Sequence, residues 1–146
     1  MIVEVKNPAA LSAVPFRVLV DKMLHAGAYP ALLEIEDAIR NLIESPDFSL
    51  LLGLDSGEYK GLAIIAYPVH KMDRYPQVIQ LYSEGSRTFT RELAQQTVDK
   101  IKERGYNTFR AINMSGAPDA VWQKALTPEG STSKIIGSIA EFQING

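Results

Sequence analysis

The chain contains no cysteine. That absence excludes a disulfide framework, thiolate catalysis, thiolate-held zinc and cysteine-bound iron–sulfur clusters together. Histidine is almost as scarce. His25 and His70 are the only two, neither with a second histidine or a carboxylate at ligand spacing beside it, so no metal is expected. Long apolar runs are missing as well: residues 50–54 and 62–67 are the longest, far short of the roughly 18 that span a bilayer. The opening MIVEVKNPAA is broken by Glu4, Lys6 and Asn7 where a signal peptide needs an unbroken apolar stretch. The expectation is a soluble, cytoplasmic protein with no membrane partner. A net charge of −2 lacks the positive field that displaces counterions from a phosphate backbone, so no nucleic-acid partner is expected. No nucleophile elbow, P-loop or Rossmann glycine run occurs.

What is present suffices for a core. With 146 residues, 46% of them hydrophobic, the scaling laws give roughly 7,400 Å² folded against about 23,000 Å² unfolded. The length fits one domain over 1–146, and no repeat, low-complexity tract or linker interrupts it. Charge is uneven: residues 1–73 carry 6 basic and 10 acidic side chains, residues 74–146 carry 9 and 7. An anionic ligand is better placed on the second half.

Alternation and β-branched content predict a strand over residues 2–5. A helix follows from near Pro15 to Gly27, with Phe16, Val20, Met23 and Leu24 at helical spacing, and a second from Pro30, with Leu32, Ile35, Ile39, Leu42 and Ile43, stopped by Ser45-Pro46. Two apolar runs, 48–54 and 59–67, flank the turn Asp55-Ser56-Gly57-Glu58 as a hairpin. Residues 77–82 make a strand. Residues 90–104 make a helix, with Thr90 as cap, Glu92 near the positive dipole end and Gly105 as the stop. A strand over 107–114, a short helix over 118–126 and a last strand over 133–144 complete the order β-α-α-β-β-β-α-β-α-β. The expectation is an α+β protein with a mixed sheet and helices on its faces.

That order resembles the GNAT acetyltransferase superfamily across nearly the whole chain. The clearest segment is IEDAIRNLIESPDFSLLLGLDSGEYKGLAIIAY (residues 35–67), similar to the family's helix, break, strand, acidic-glycine turn and following strand. The resemblance implies acetyl-CoA as cofactor. It places the diphosphate on backbone amides at the start of the fourth-strand helix, where relatives carry R/Q-x-x-G-x-G/A. Here the equivalent stretch is Gly85-Ser86-Arg87-Thr88-Phe89-Thr90, with Thr88 and Thr90 in place of both glycines. Amides at a helix start, its dipole and Arg87 suit a phosphate; Thr90 equally suits a cap.

The resemblance further implies that Leu81, Tyr82 and Ser83 pair with the pantetheine arm, with Asn113 on the facing strand, and that Glu84 is the candidate base for an amine acceptor, small molecule or protein. Trp122 stands where many relatives place a proton-donating tyrosine. Its indole is no general acid, so packing on the core or the ligand is its expected role. Two functions follow from the resemblance. One is an N-acetyltransferase taking acetyl-CoA to an amine. The other is a catalytically degenerate binding or structural module, of a kind found among virus-encoded relatives, with a second copy of the chain as a candidate partner.

Overall fold

The structure, a computed structural model, describes residues 1–6, 18–19, 48–68, 75–112, 124, 131–136 and 139–144. Val18 and Leu19 are helical within the first predicted helix and Lys124 within the one over 118–126; the rest of both, the whole predicted helix from Pro30, and Asn113 lie outside the described residues.

Seven strands form one sheet in the order β1-β2-β3-β4-β5-β7-β6. They are β1 (Ile2–Glu4), β2 (Phe48–Asp55), β3 (Glu58–Ala66), β4 (Gln77–Ser83), β5 (Thr108–Ile112), β6 (Ser131–Ile136) and β7 (Ile139–Ile144). All neighbours are antiparallel except β4 and β5. The hairpin turn between β2 and β3 has Ser56 at φ 56° and Gly57 at φ 80°. Two consecutive left-handed residues give the turn whose twist matches its flanking strands.

The segment read above as one last strand over 133–144 is two strands. Ile136 faces Ile139 in an antiparallel hairpin, and the intervening Gly137-Ser138 is turn chemistry inside an otherwise strand-like run.

Helix α1 (Arg87–Glu103) joins β4 to β5 and lies on one face of the sheet. Its buried residues Phe89, Leu93, Ala94, Thr97, Val98 and Ile101 recur at helical spacing. They pack on Leu51, Ala63, Ile65, Tyr67, Val78, Phe109 and Ala111. Leu50, Leu52, Leu62 and Ile64 alternate with that set and are buried on the other face. Burial on both faces explains why the β2 and β3 sequences are continuously apolar rather than alternating. At its C-terminus the helix ends in a Schellman turn. Gly105, at φ 91°, donates to Lys102 O and Tyr106 N to Ile101 O.

The helix begins three residues before the predicted Thr90. Ser86 is the cap, its Oγ accepting from Phe89 N at 3.1 Å. Glu92 therefore lies beyond the first turn, which holds no acidic residue. The earlier start turns Phe89 into the core, 3% exposed. Its ring fills a cradle of three glycines. A Cβ on Gly53 would lie 2.5 Å from Phe89 Cζ, one on Gly61 3.1 Å from Phe89 Cε1, and one on Gly85 would collide with Phe89 Cδ1.

Candidate functional site

β4 and β5 pair only at Gln77 with Arg110 and Val78 with Ala111. At that point β4 carries an extra residue: Ile65 faces Val78 but Ile64 faces Gln80, leaving Ile79 as a bulge. A bulge bends its strand and increases its twist; the residues that would continue the parallel pairing beyond Ile112 lie outside the described residues. Leu81, Tyr82 and Ser83 stay bonded to β3 on one side, opposite Ala63, Leu62 and Gly61. Among the described residues no strand covers their other edge.

Only Glu84, Gly85 and Ser86 separate this edge from α1, so the helix starts directly beyond it. The first amides divide into two pairs. Phe89 N donates to Ser86 Oγ and Thr90 N to Ser86 O at 2.9 Å. Those of Arg87 and Thr88 have no acceptor among the described residues. Ser86 N donates to Asp55 Oδ2 at 3.1 Å, which ties the cap to the β2–β3 turn. The Thr88 side chain is exposed, while Thr90 Oγ1 shares a 2.6 Å hydrogen bond with Ser83 Oγ.

The opposite face of β4 carries a different group. Tyr82 Oη donates to Glu84 Oε2 at 2.9 Å, and Lys60 Nζ lies 4.0 Å from Glu84 Oε1 and 3.2 Å from Glu58 Oε2. Glu84 N also donates to Lys60 O at 2.8 Å, which fixes the strand end. Burial, then the hydrogen bond to Glu84 and its negative charge, push the Tyr82 phenol up to about 12.

Tyr67 is raised by burial, and Lys100 by its hydrogen bond to Glu4. All three shifts favour the protonated group in the folded state. Their contribution is complete below the ordinary values of 10.0 and 10.5 and is lost as pH rises through the raised ones. Urea unfolding is expected to show stability falling from about pH 10 upward, with the last phenolate absorbance appearing only near pH ~12. A chain whose tyrosines all ionise together near pH ~10 would contradict this.

The comparisons with known proteins bear on this geometry. No family model and no curated protein sequence matches the chain. Solved structures do. The ribosomal-protein-S18-alanine N-acetyltransferase of Escherichia coli superposes with a TM-score of 0.64 at 12% identity, over 100% of this chain and 96% of that one. The PaiA N-acetyltransferase of Thermoplasma acidophilum, in complex with coenzyme A, does so with a TM-score of 0.57 at 12% identity, over 100% and 99%. A GNAT-family protein from Desulfovibrio desulfuricans gives 0.58 at 12% identity, over 97% and 96%. The fold is that of the GNAT acetyltransferases.

Within the GNAT fold, the described residues singled out from the sequence divide among four places. Leu81 is half-buried under α1, against the clusters containing Leu93 and Val98. Ser83 faces the same side, so both present backbone rather than side chain at the uncovered edge of β4. Ser86, Arg87 and Thr88 are exposed at the start of α1. Phe89 and Thr90 are engaged inside the protein, the first as a core residue and the second through Ser83. Glu84 and Tyr82 sit on the opposite face, 21% of the Glu84 side chain remaining open to solvent. Asn113 and Trp122 lie outside the described residues.

Sequence reasoning missed Arg91, exposed one turn after Arg87 on the same helix face. The four-residue spacing is its signal once the helix is known to start at Arg87. Among the described residues no group of three or more metal-ligating side chains converges, and no helix is long and apolar enough to cross a membrane.

Proposed function

We propose that the chain is an N-acetyltransferase that holds acetyl-CoA in the gap between β4 and β5 and passes the acetyl group to an amine. The Leu81–Ser83 edge of β4, bonded to β3 on one side, covered by no described strand on the other and leading directly into α1, carries this reading. An exposed strand edge accepts an extended amide-bearing chain as it would another strand, and the Leu81–Ser83 backbone is such an edge for the pantetheine arm. The free amides of Arg87 and Thr88, with the helix dipole and the Arg87 guanidinium, take the diphosphate. Neither threonine obstructs them, because Thr88 points to solvent and Thr90 is held by Ser83.

Acetyl-CoA supplies the activated acyl group. Glu84 works from the other face: held by the Tyr82 hydroxyl at 2.9 Å, its carboxylate receives a proton from the approaching amine. The acceptor therefore enters from the face opposite α1.

A binding module without transfer is the second reading. Its support is the tie between Ser83 and Thr90 and the internal use of the Phe89 and Thr90 amides, which leave two donors for a diphosphate.

Thermal melting in millimolar acetyl-CoA tests the reading. A ligand at ~100 times its dissociation constant adds about 2.7 kcal/mol, a rise of about 5–10 °C for this size. Glu84→Gln is expected to keep that rise, since the carboxylate faces the acceptor. An unchanged melting curve overturns cofactor binding. A normal rise with no thiol released in the presence of primary amines would assign the second reading.

A further inference from the structure

We propose that Lys60 sets the class of acceptor, so that the site favours free α-amino acids, whose carboxylate stands beside the amine, over amines of the same shape that lack the carboxylate. The inference rests on the assignment of Glu84 above and adds the chemistry of the molecule that meets it.

Lys60 reaches Glu84 through an irregularity in β3. Gly61 faces Gly53 and Tyr59 faces Leu54, which leaves Lys60 as an extra residue with no register partner on β2. Extra residues of this kind re-aim a side chain, and they gather beside active sites. Towards β4 the register at this end is regular: Gly61 faces Ser83, Leu62 faces Tyr82, and Glu84 N donates to Lys60 O at 2.8 Å. Alternation then gives Lys60 the same face as Tyr82 and Glu84, opposite α1.

The Lys60 side chain is 26% exposed and lies between two carboxylates of unequal burial. Glu58 Oε2 is 3.2 Å away on a side chain 69% exposed, and Glu84 Oε1 is 4.0 Å away on one 21% exposed. Glu58 is the replaceable partner, since a pair with so exposed a member is weak. Tyr82 donates to Glu84 Oε2, and Lys60 stands on the Oε1 side. An amine that approaches Oε1 therefore arrives beside a fixed ammonium. A simple amine comes as a cation and is repelled by it. An α-amino acid brings a carboxylate one carbon removed from its amine, so the carboxylate takes the place of Glu58 on Lys60 while the amine faces Glu84. Complementary charges of this kind choose among partners more than they tighten binding.

The test is acetyl transfer by the full chain, read as thiol release from acetyl-CoA. The acceptors are α-amino acids with apolar, hydroxylated and basic side chains, each compared with its own amide. The ratio of kcat/KM for acid over amide is expected to fall about threefold to fivefold in Lys60→Met, the size of one partly exposed ion pair. Comparing that ratio between variant and parent cancels the unequal basicity of the two amines, and with it any loss common to both, such as a displaced Glu84. Lys60→Arg is expected to keep most of the preference. Glu58→Gln is expected to raise the ratio, because the competing carboxylate is gone. Added salt is expected to lower the ratio in the parent and to leave it unchanged in Lys60→Met. If Lys60→Met does not fold, the salt series on the parent and Glu58→Gln still decide. A ratio untouched by Lys60→Met, or one that falls in Glu58→Gln, overturns the inference and leaves the acetyltransferase reading in place. Thiol release with neither acid nor amide, beside a normal rise in melting temperature with acetyl-CoA, overturns the inference together with the role of Glu84 and leaves cofactor binding intact.

Discussion

Phe89→Ala is expected to lower the unfolding free energy by about 3–5 kcal/mol, the range for truncating a buried aromatic ring. Phe89 sits at the upper end of that range for a structural reason. It is 3% exposed, and three of the positions around its ring are glycines, Gly53, Gly61 and Gly85. They have no side chains to shift into the space, so the cavity stays open, and cavity volume sets the penalty beyond simple transfer.

The reverse substitution tests the same fit. Gly53→Ala puts a methyl 2.5 Å from the ring and 2.9 Å from Ile2 Cδ1, and overpacking of that kind costs about 1–3 kcal/mol. Combined with Phe89→Leu, it is expected to cost less than the sum of the single changes, because the two residues share one space. Urea denaturation of the four proteins provides the comparison. A loss below about 1 kcal/mol for Phe89→Ala would mean that the ring is not part of the core.

Lys100→Met is expected to cost about 2–4 kcal/mol, well above the ~1 kcal/mol ceiling of an exposed ion pair. Lys100 Nζ lies 2.6 Å from Glu4 Oε2, with the two side chains 17% and 19% exposed. Behind the pair is a polar chain: Ser49 Oγ donates to the other Glu4 oxygen at 3.5 Å and shares a 3.0 Å hydrogen bond with Tyr67 Oη. Methionine preserves helix propensity and the aliphatic stem, so the loss measures the charge left on Glu4. Glu4→Gln added to Lys100→Met is expected to recover part of it, since the stranded carboxylate is then neutral. A single-variant cost within ~0.5 kcal/mol, measured by urea unfolding, would reduce this pair to an ordinary surface contact.

The sequence carried the elements that repeat locally. The stripe Leu93, Ala94, Val98 and Ile101 marks the buried face of α1, Gly105 marks its end, and Asp55-Ser56-Gly57-Glu58 marks the first hairpin. The start of α1 was misplaced because Thr90 and Ser86 are both good caps, and only packing chooses between them by drawing Phe89 inward. The division of β6 from β7 rests on two residues within an otherwise strand-like run.

The site was legible in part. That Tyr82 and Glu84 share a face follows from the period of a strand. That β4 carries one extra residue between the partners of Ile64 and Ile65 is a relation between strands that neither one encodes alone. The tie from Asp55 to Ser86 and the contact of Gly53 with Phe89 join positions more than thirty residues apart, beyond the reach of any periodicity.

Ile79 has one more effect, which concerns the sidedness of everything after it. Side chains on a strand change sides at each step, so one added residue exchanges the sides for the remainder of β4. With Ile79 present, Leu81 and Ser83 belong to the α1 side, and Tyr82 and Glu84 to the far side. Were Ile79 instead paired in regular register opposite Ile64, Leu81 would fall beside Leu62 and Tyr82 beside Gly61, aiming the acidic side chain at the helix start and the hydroxyl of Ser83 away from it. A single insertion thus keeps the Ser83 hydroxyl and the Glu84 carboxylate on separate sides of the sheet.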